Sequence, residues 1–346
     1  MSQTIIQPYR FVPSGDPTLW QELGRTTLGS AGDTITVSGL TAKDNLLLLG
    51  DLVMDGAGYG TAELTFNSDT GTNYSSRMSV QGNTDTTHTG QTYIDIGKVL
   101  ALESFFIGFV RNVATETKLM MGFVNEEGAV GSGTAPDRCD ETGFWSNNTN
   151  AISEISITCG ADFASGSELV ILGNSAGDVG TGFFELLGED TLTGEGDILD
   201  SGTITAKKYL WVEAHPLSDS GATTNNPDYN MTFNGSTSSY ASRSSQNGGA
   251  DGTGTNTAFI NGWIQYQDRL VQSFVLNNAT QTKLGIGWSD VIGNGGFGAG
   301  GAPNRDIWYG KHEQTSNSIT TVTLTNSAAR PSAYGVGSTL RVWGGD

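Results

Sequence analysis

Nucleophiles, bases and metal ligands are the scarce residues in this chain of 346. Histidine occurs three times, at His88, His215 and His312, and cysteine twice, at Cys139 and Cys159. None of them has the His/Cys spacing of a metal site. Neither a nucleophile elbow nor a phosphate loop nor a dinucleotide fingerprint is present. The glycine-rich "GNGGFGAGG" (293–301) lacks a strand-then-helix context and reads as a surface loop. Carboxylates are plentiful, at 36 Asp and Glu, so a glycosidase-type acid pair is not excluded by composition. Asp69, Asp85 and Asp251 are considered for calcium, but no EF-hand-type spacing supports them.

Two charged pairs stand out because each occurs twice. Asp85 follows Arg77, and Asp251 follows Arg243, each eight residues on. These are read as equivalent ion pairs pinning a polar loop. Arg138 closes "GSGTAPDR" and Arg305 closes "GAGGAPNR". The Ala-Pro step presets the backbone there. The guanidinium fork then staples loop carbonyls, or reaches a carboxylate on its own or another chain. Arg77, Asp85, Arg138, Arg243, Asp251 and Arg305 are therefore the candidate loop or interface residues. Asp33 and Asp197 also recur and read as turn formers. Among the tryptophans, Trp288 is the one with an aromatic near its counterpart position, Phe123, one residue off. Core packing and a sugar platform are both open to it.

The repetition covers the whole chain beyond residue 18. "LGRTTLGSAGD" (23–33) matches "LGEDTLTGEGD" (187–197), and "TAK" recurs at Thr41 and Thr205. "FN" recurs at Phe66 and Phe233, and "NYSSR" ending at Arg77 matches "SYASR" ending at Arg243. "FVRNVATETKL" (109–119) matches "FVLNNATQTKL" (274–284), and "GSELVILG" (166–173) matches "GSTLRVWGG" (337–345). Collinear matches at a nearly constant offset mean a tandem duplication. The predicted organisation is an N-terminal arm (1–18), a first repeat (19–174), a short Gly-rich link and a second repeat (182–346). Each unit is long enough to bury a core without disulfides, and the two cysteines are expected to be free.

Apolar residues alternate in runs of four to seven, flanked by Gly, Asn or Asp: "DTITVSGL", "AELTFN", "FFIGFV", "KLMMGFV", then "YLWVEAH", "QSFVLN", "TLRVWG". No helical period is sustained. The fold class predicted is all-β, with two tandem antiparallel β-sandwich domains of jelly-roll-like kind and about eight strands each. An immunoglobulin-like sandwich is the alternative. The polar stretches 73–91 and 239–256 are read as loops. "NLLLLGDLVM" (45–54) reads as a buried strand. No apolar run is long enough for a membrane helix, and the opening residues are too polar for a signal peptide. The formal net charge of −19 is scattered, with 7 Lys/Arg against 19 Asp/Glu in 20–173 and 9 against 15 in 184–346. A nucleic-acid partner would need a basic face and is disfavoured.

The string "LGRTTLGSAGDTITVSGLTAKDNLLLL…LTFNSDTGTNYSSRMS…TAPDR…SELVILG" resembles a β-rich module common in proteins encoded by tailed bacteriophages and environmental viral genomes. The resemblance spans both repeats and implies a structural role in a virion, with no catalytic motif, cofactor or metal attached. The expectation is a non-enzymatic capsid decoration or cement protein on the head exterior. Its partners would be other virion proteins, and it would form a homo-oligomer. The alternatives are a double jelly-roll major capsid protein and a tail or fibre module that binds carbohydrate receptors.

Overall fold

Eleven strands of the first unit lead into the last, β12, and the same series follows in the second. They are β1 (Gln21–Thr27), β2 (Gly32–Ser38), β3 (Asn45–Leu52), β4 (Tyr59–Phe66), β5 (Tyr74–Val80), β6 (Thr86–Gln91), β7 (Ile94–Leu100), β8 (Ser104–Arg111), β9 (Lys118–Glu126), β10 (Asp137–Trp145), β11 (Glu154–Phe163) and β12 (Glu168–Asn174). The second unit comprises β13 (Glu185–Thr191), β14 (Ile198–Asp200), β15 (Tyr209–His215), β16 (Asn230–Phe233), β17 (Tyr240–Gln246), β18 (Gly252–Thr257), β19 (Ile260–Asn261), β20 (Arg269–Leu276), β21 (Lys283–Val291), β22 (Asn304–His312), β23 (Val322–Thr325) and β24 (Thr339–Gly345). The computed structural model describes residues 19–56, 59–218, 229–261, 269–291, 303–326 and 333–346. The arm at 1–18 lies outside the described residues.

Each unit is a sandwich of one eight-stranded and one four-stranded antiparallel sheet. The large sheets run β1-β12-β3-β8-β9-β10-β5-β6 and β13-β24-β15-β20-β21-β22-β17-β18, and the small ones β2-β11-β4-β7 and β14-β23-β16-β19. The orders are identical strand for strand. Among the described residues each unit has twelve strands, where eight were expected. The difference comes partly from the polar stretches, which are hairpins of the large sheets rather than loops. β6 ("TTHTGQ") and β18 ("GTGTNT") carry no apolar alternation because they are edge strands without a buried face. Their turns are legible in retrospect. Gln81 and Gly82 have φ of 53° and 69°, and Asn247 and Gly248 have 53° and 73°, the left-handed pair that tight hairpins require. Arg138 and Arg305 accordingly sit on strands, at the starts of β10 and β22, rather than in loops.

Two cores fill the sandwiches, and a third fills the space between the units. Along β3, Leu46 and Leu48 enter the first unit's own core, while Leu47 and Leu49 enter the shared one. Leu169 and Ile171 against Val170 and Leu172 in β12, and Leu210 and Val212 against Tyr209 and Trp211 in β15, divide in the same way. A strand buried on both faces reads as a continuous apolar run, which is why "NLLLL" and "ELVIL" lack alternation. The two large sheets thus pack face to face, giving four layers of four, eight, eight and four strands.

Much of the repeated sequence braces this frame. Lys118 Nζ donates to the carbonyls of Ala114, Glu116 and Asn147, and Lys283 does the same for Ala279, Gln281 and Gln314. Asn112 bonds Lys43 O and both polar backbone groups of Ile152, as Asn277 does with Lys207 and Ile319. Tyr74 and Tyr240 hold the backbone of Phe66 and Phe233 through their hydroxyls. Cys139 and Cys159 are buried and free.

Candidate functional site at the seam between the units

Equivalent positions of the two units meet across the shared core. Phe109 and Phe274, each sixth in its strand, lie 6.2 Å apart, and Phe123 and Trp288, each sixth in β9 and β21, lie 5.0 Å apart, edge to face. Trp288 and Phe123 are therefore true counterparts, with no shift between them. A residue touching its own counterpart defines a local two-fold axis, so every seam contact has a mate that symmetry would demand.

At one end the seam is closed. Asn125, wholly buried, donates to Gly285 O at 2.8 Å and Gly310 O at 2.9 Å. Lys311, also wholly buried, donates to Glu127 O at 2.9 Å and Ala129 O at 2.6 Å. Arg138 reaches across to Asp251 with both arms of its fork, Nε–Oδ2 at 3.0 Å and Nη2–Oδ1 at 2.6 Å, both side chains being 5% exposed. Asp140 joins Arg138 on one side and accepts from the Tyr309 hydroxyl on the other. Arg243 completes the clamp from the second unit, donating to Pro136 O at 2.8 Å and lying 3.4 Å from Asp137 and 3.5 Å from Asp251. Burial opposes the Arg138 charge. Its bonds to Asp251 and the charge of Asp140 outweigh that opposition and hold the guanidinium above its usual range. Burial pushes the Asp140 carboxyl up, and Arg138 and Tyr309 reverse this only in part. The echoed loop is docked as well: Ser132 O and Oγ bond the backbone N and Oδ1 of Asn256.

The symmetry mate of each contact is open. The position of Asn125 is occupied in β21 by Asp290, exposed and an acceptor only, which cannot donate to the carbonyls of Met120 and Gly143. The position of Lys311 is occupied in β10 by Phe144, 40% exposed. Arg305 lies exposed over Gly248 in its own unit's hairpin turn. Asp85 stays with Arg77 at 3.5 Å, with side chains 48% and 58% exposed. The sequence places these two pairs as equivalents. The structure puts Asp251 and Arg243 in the buried clamp with Arg138, and leaves Arg77, Asp85 and Arg305 at the surface.

A groove of about 710 Å³ occupies this open side. Its floor is Phe109, Phe123, Trp288 and Ile307, all half-buried, and its rim carries Asn83, Asp85, Asp290 and Arg305. Flat apolar rings with hydrogen-bonding groups of both kinds around them suit an amphipathic ligand. Sequence reasoning missed Asn125, Asp290, Asp140 and Tyr309. Asn125 and Asp290 carried one signal, a donor exchanged for an acceptor at the same position of β9 and β21, and Asp140 and Tyr309 carried none. The histidines lie elsewhere: His312 is buried, stacked on Tyr240 at 4.1 Å and pushed down to about 4 by burial, while His215 is exposed at the end of β15.

No family model matches the chain, and no curated protein matches it. Among solved structures, domains LG4-5 of the mouse laminin alpha1 chain align at 10% identity and a TM-score of 0.19, over 96% of this chain and 93% of that one. The binding domain of botulinum neurotoxin DC in complex with SialylT aligns at 12% and 0.15, over 86% and 89%. The binding domain of serotype D/C VPI 5993 aligns at 13% and 0.14, over 87% and 90%. At these scores the likenesses carry no functional argument.

Proposed function

We propose that the chain is a non-enzymatic binding module of a virion surface and that its ligand lies in the seam groove. The observation that carries this reading is the aromatic floor of Phe109, Phe123 and Trp288 beneath a polar rim. Among the described residues lining the groove, the exposed charges are the carboxylates of Asp85 and Asp290 and the single guanidinium of Arg305. That balance favours neutral sugars over anionic ones. The reading corresponds to a tail or fibre module that binds receptor carbohydrate. The virion setting rests on the resemblance of the repeated string to phage-encoded modules.

Binding of the purified chain to neutral and acidic glycans tests it. Retention of neutral glycans, lost on Trp288→Ala and without cleavage of the sugar, is the expected result. Cleavage, or no binding to any glycan or host cell, overturns it. Decoration of the head is the second reading, favoured by the rigid closure of two units into one body by the Arg138–Asp251 clamp. Locating the chain in images of intact particles separates head from tail.

A further inference from the structure

The large sheet of the first unit extends past the second unit and leaves part of its seam-side face bare. Leu119 and Phe144 are paired across β9 and β10, and Met121 pairs with Thr142 beside them. All four share one face with Phe123, which belongs to the seam. Leu119, Met121 and Phe144 are 59%, 43% and 40% exposed. In the second unit the same positions hold Leu284, Ile286 and Lys311, each 0% exposed under the first unit. The usual relation is inverted: the lysine is buried and the phenylalanine is in water. Solvation alone gives no reason for three large apolar side chains on one patch of a flat sheet.

We infer that this bare face docks against the same face of a second copy of the chain. The patch is continuous with an interface the chain already makes, in which this face of the fold is covered by a large sheet of its own kind. Its margin is self-complementary in charge. Arg77, registered with Thr142 on the same face, and Asp85 form only the loose, exposed pair described above. A two-fold contact sets the Arg77 of each copy towards the Asp85 of the other. The net charge of −19 per chain opposes association, so the contact is apolar in drive and electrostatic in cost. This contact stands apart from the groove's aromatic floor, although Met121 and Asp85 border both.

Sedimentation velocity of the full chain over a range of concentration and salt tests the inference. The expected result is a monomer–dimer equilibrium that strengthens with salt and is at least ~10-fold weaker in Phe144→Asp. Because Phe144 is at the surface, that variant is expected to fold. Thr142→Cys provides a second reading: oxidation should link two chains in Thr142→Cys and not in the wild type, whose two cysteines are buried. A chain that stays monomeric at every salt overturns the inference. So does a dimer indifferent to Phe144→Asp and not linked through position 142, and glycan or another virion protein then becomes the occupant of the face.

Discussion

Asp251 and Asp85 precede the same edge strand in their two units, yet they do different work. Asp251 is buried between Arg138 and Arg243, whereas Asp85 shares an exposed, loose contact with Arg77. Removing one partner of a buried pair strands the other's charge, at about 3–5 kcal/mol. An exposed pair is worth about 0–1 kcal/mol. Asp251→Ala should therefore lose stability in that larger range and Asp85→Ala almost none, as read by urea denaturation. Glu126 sets a pH dependence at the same scale. Burial, with Asp137 adding to it, pushes its carboxyl up to about 8 from 4.5. The folded state thus holds a proton that the unfolded state releases. The resulting stability is complete below pH 4.5 and lost as pH rises towards 8. Glu126→Gln, which mimics the protonated acid, should match the wild type at pH 4.5 and exceed it by roughly 2–5 kcal/mol at pH 8. Denaturation at the two pH values reads the difference. Proton loss by His312 runs the other way: its stabilisation is complete above 6.5 and lost as pH falls to about 4.

At the scale of strands, β9 and β21 show how a duplicated element acquires two roles. They keep the same length, the same cap through Lys118 and Lys283, and the same aromatic position at the axis. They differ at the eighth residue, where Asn125 donates to two carbonyls and Asp290 faces out. Asn125→Asp puts a carboxylate against those carbonyls and should cost roughly 2–4 kcal/mol. Asp290→Asn should cost nothing measurable. Equilibrium unfolding of both variants checks the pair. The strands also show what the sequence conceals. β3, β12 and β15 were legible as strands, but not as strands with two partners, because a continuous apolar run records burial and not what buries it. β6 and β18 were illegible because an edge strand in water needs no apolar pattern.

For the whole molecule, the shared core decides that the units act as one body. Among the described residues, fifteen buried apolar ones, contributed by both units, form it. Each fully buried large apolar side chain is worth about 1.5–3 kcal/mol. The link is fastened too, Asp178 pairing with Lys43 at 2.7 Å. A chain cut once within 175–182 should therefore run as an intact particle in native gel filtration and separate only in denaturant. Two fragments that part in native buffer would mean the seam is weaker than its burial indicates.

The sequence by itself determined the duplication and the all-β class, because these depend on local pattern and on identities repeated at a fixed offset. Arg138, Arg243 and Asp251, marked by their recurrence, meet in one buried clamp, while Arg77, Asp85 and Arg305, marked by the same recurrence, stay at the surface. Only the tertiary structure decided that Arg138 takes its carboxylate from the other unit, that the mate of this contact stays open as a groove, and that Phe144 rather than Lys311 faces water. The physical reason is that a duplicated sequence specifies two equal surfaces. Packing those surfaces against each other then separates the fates of equal residues, according to whether the group facing each one donates, accepts or is missing.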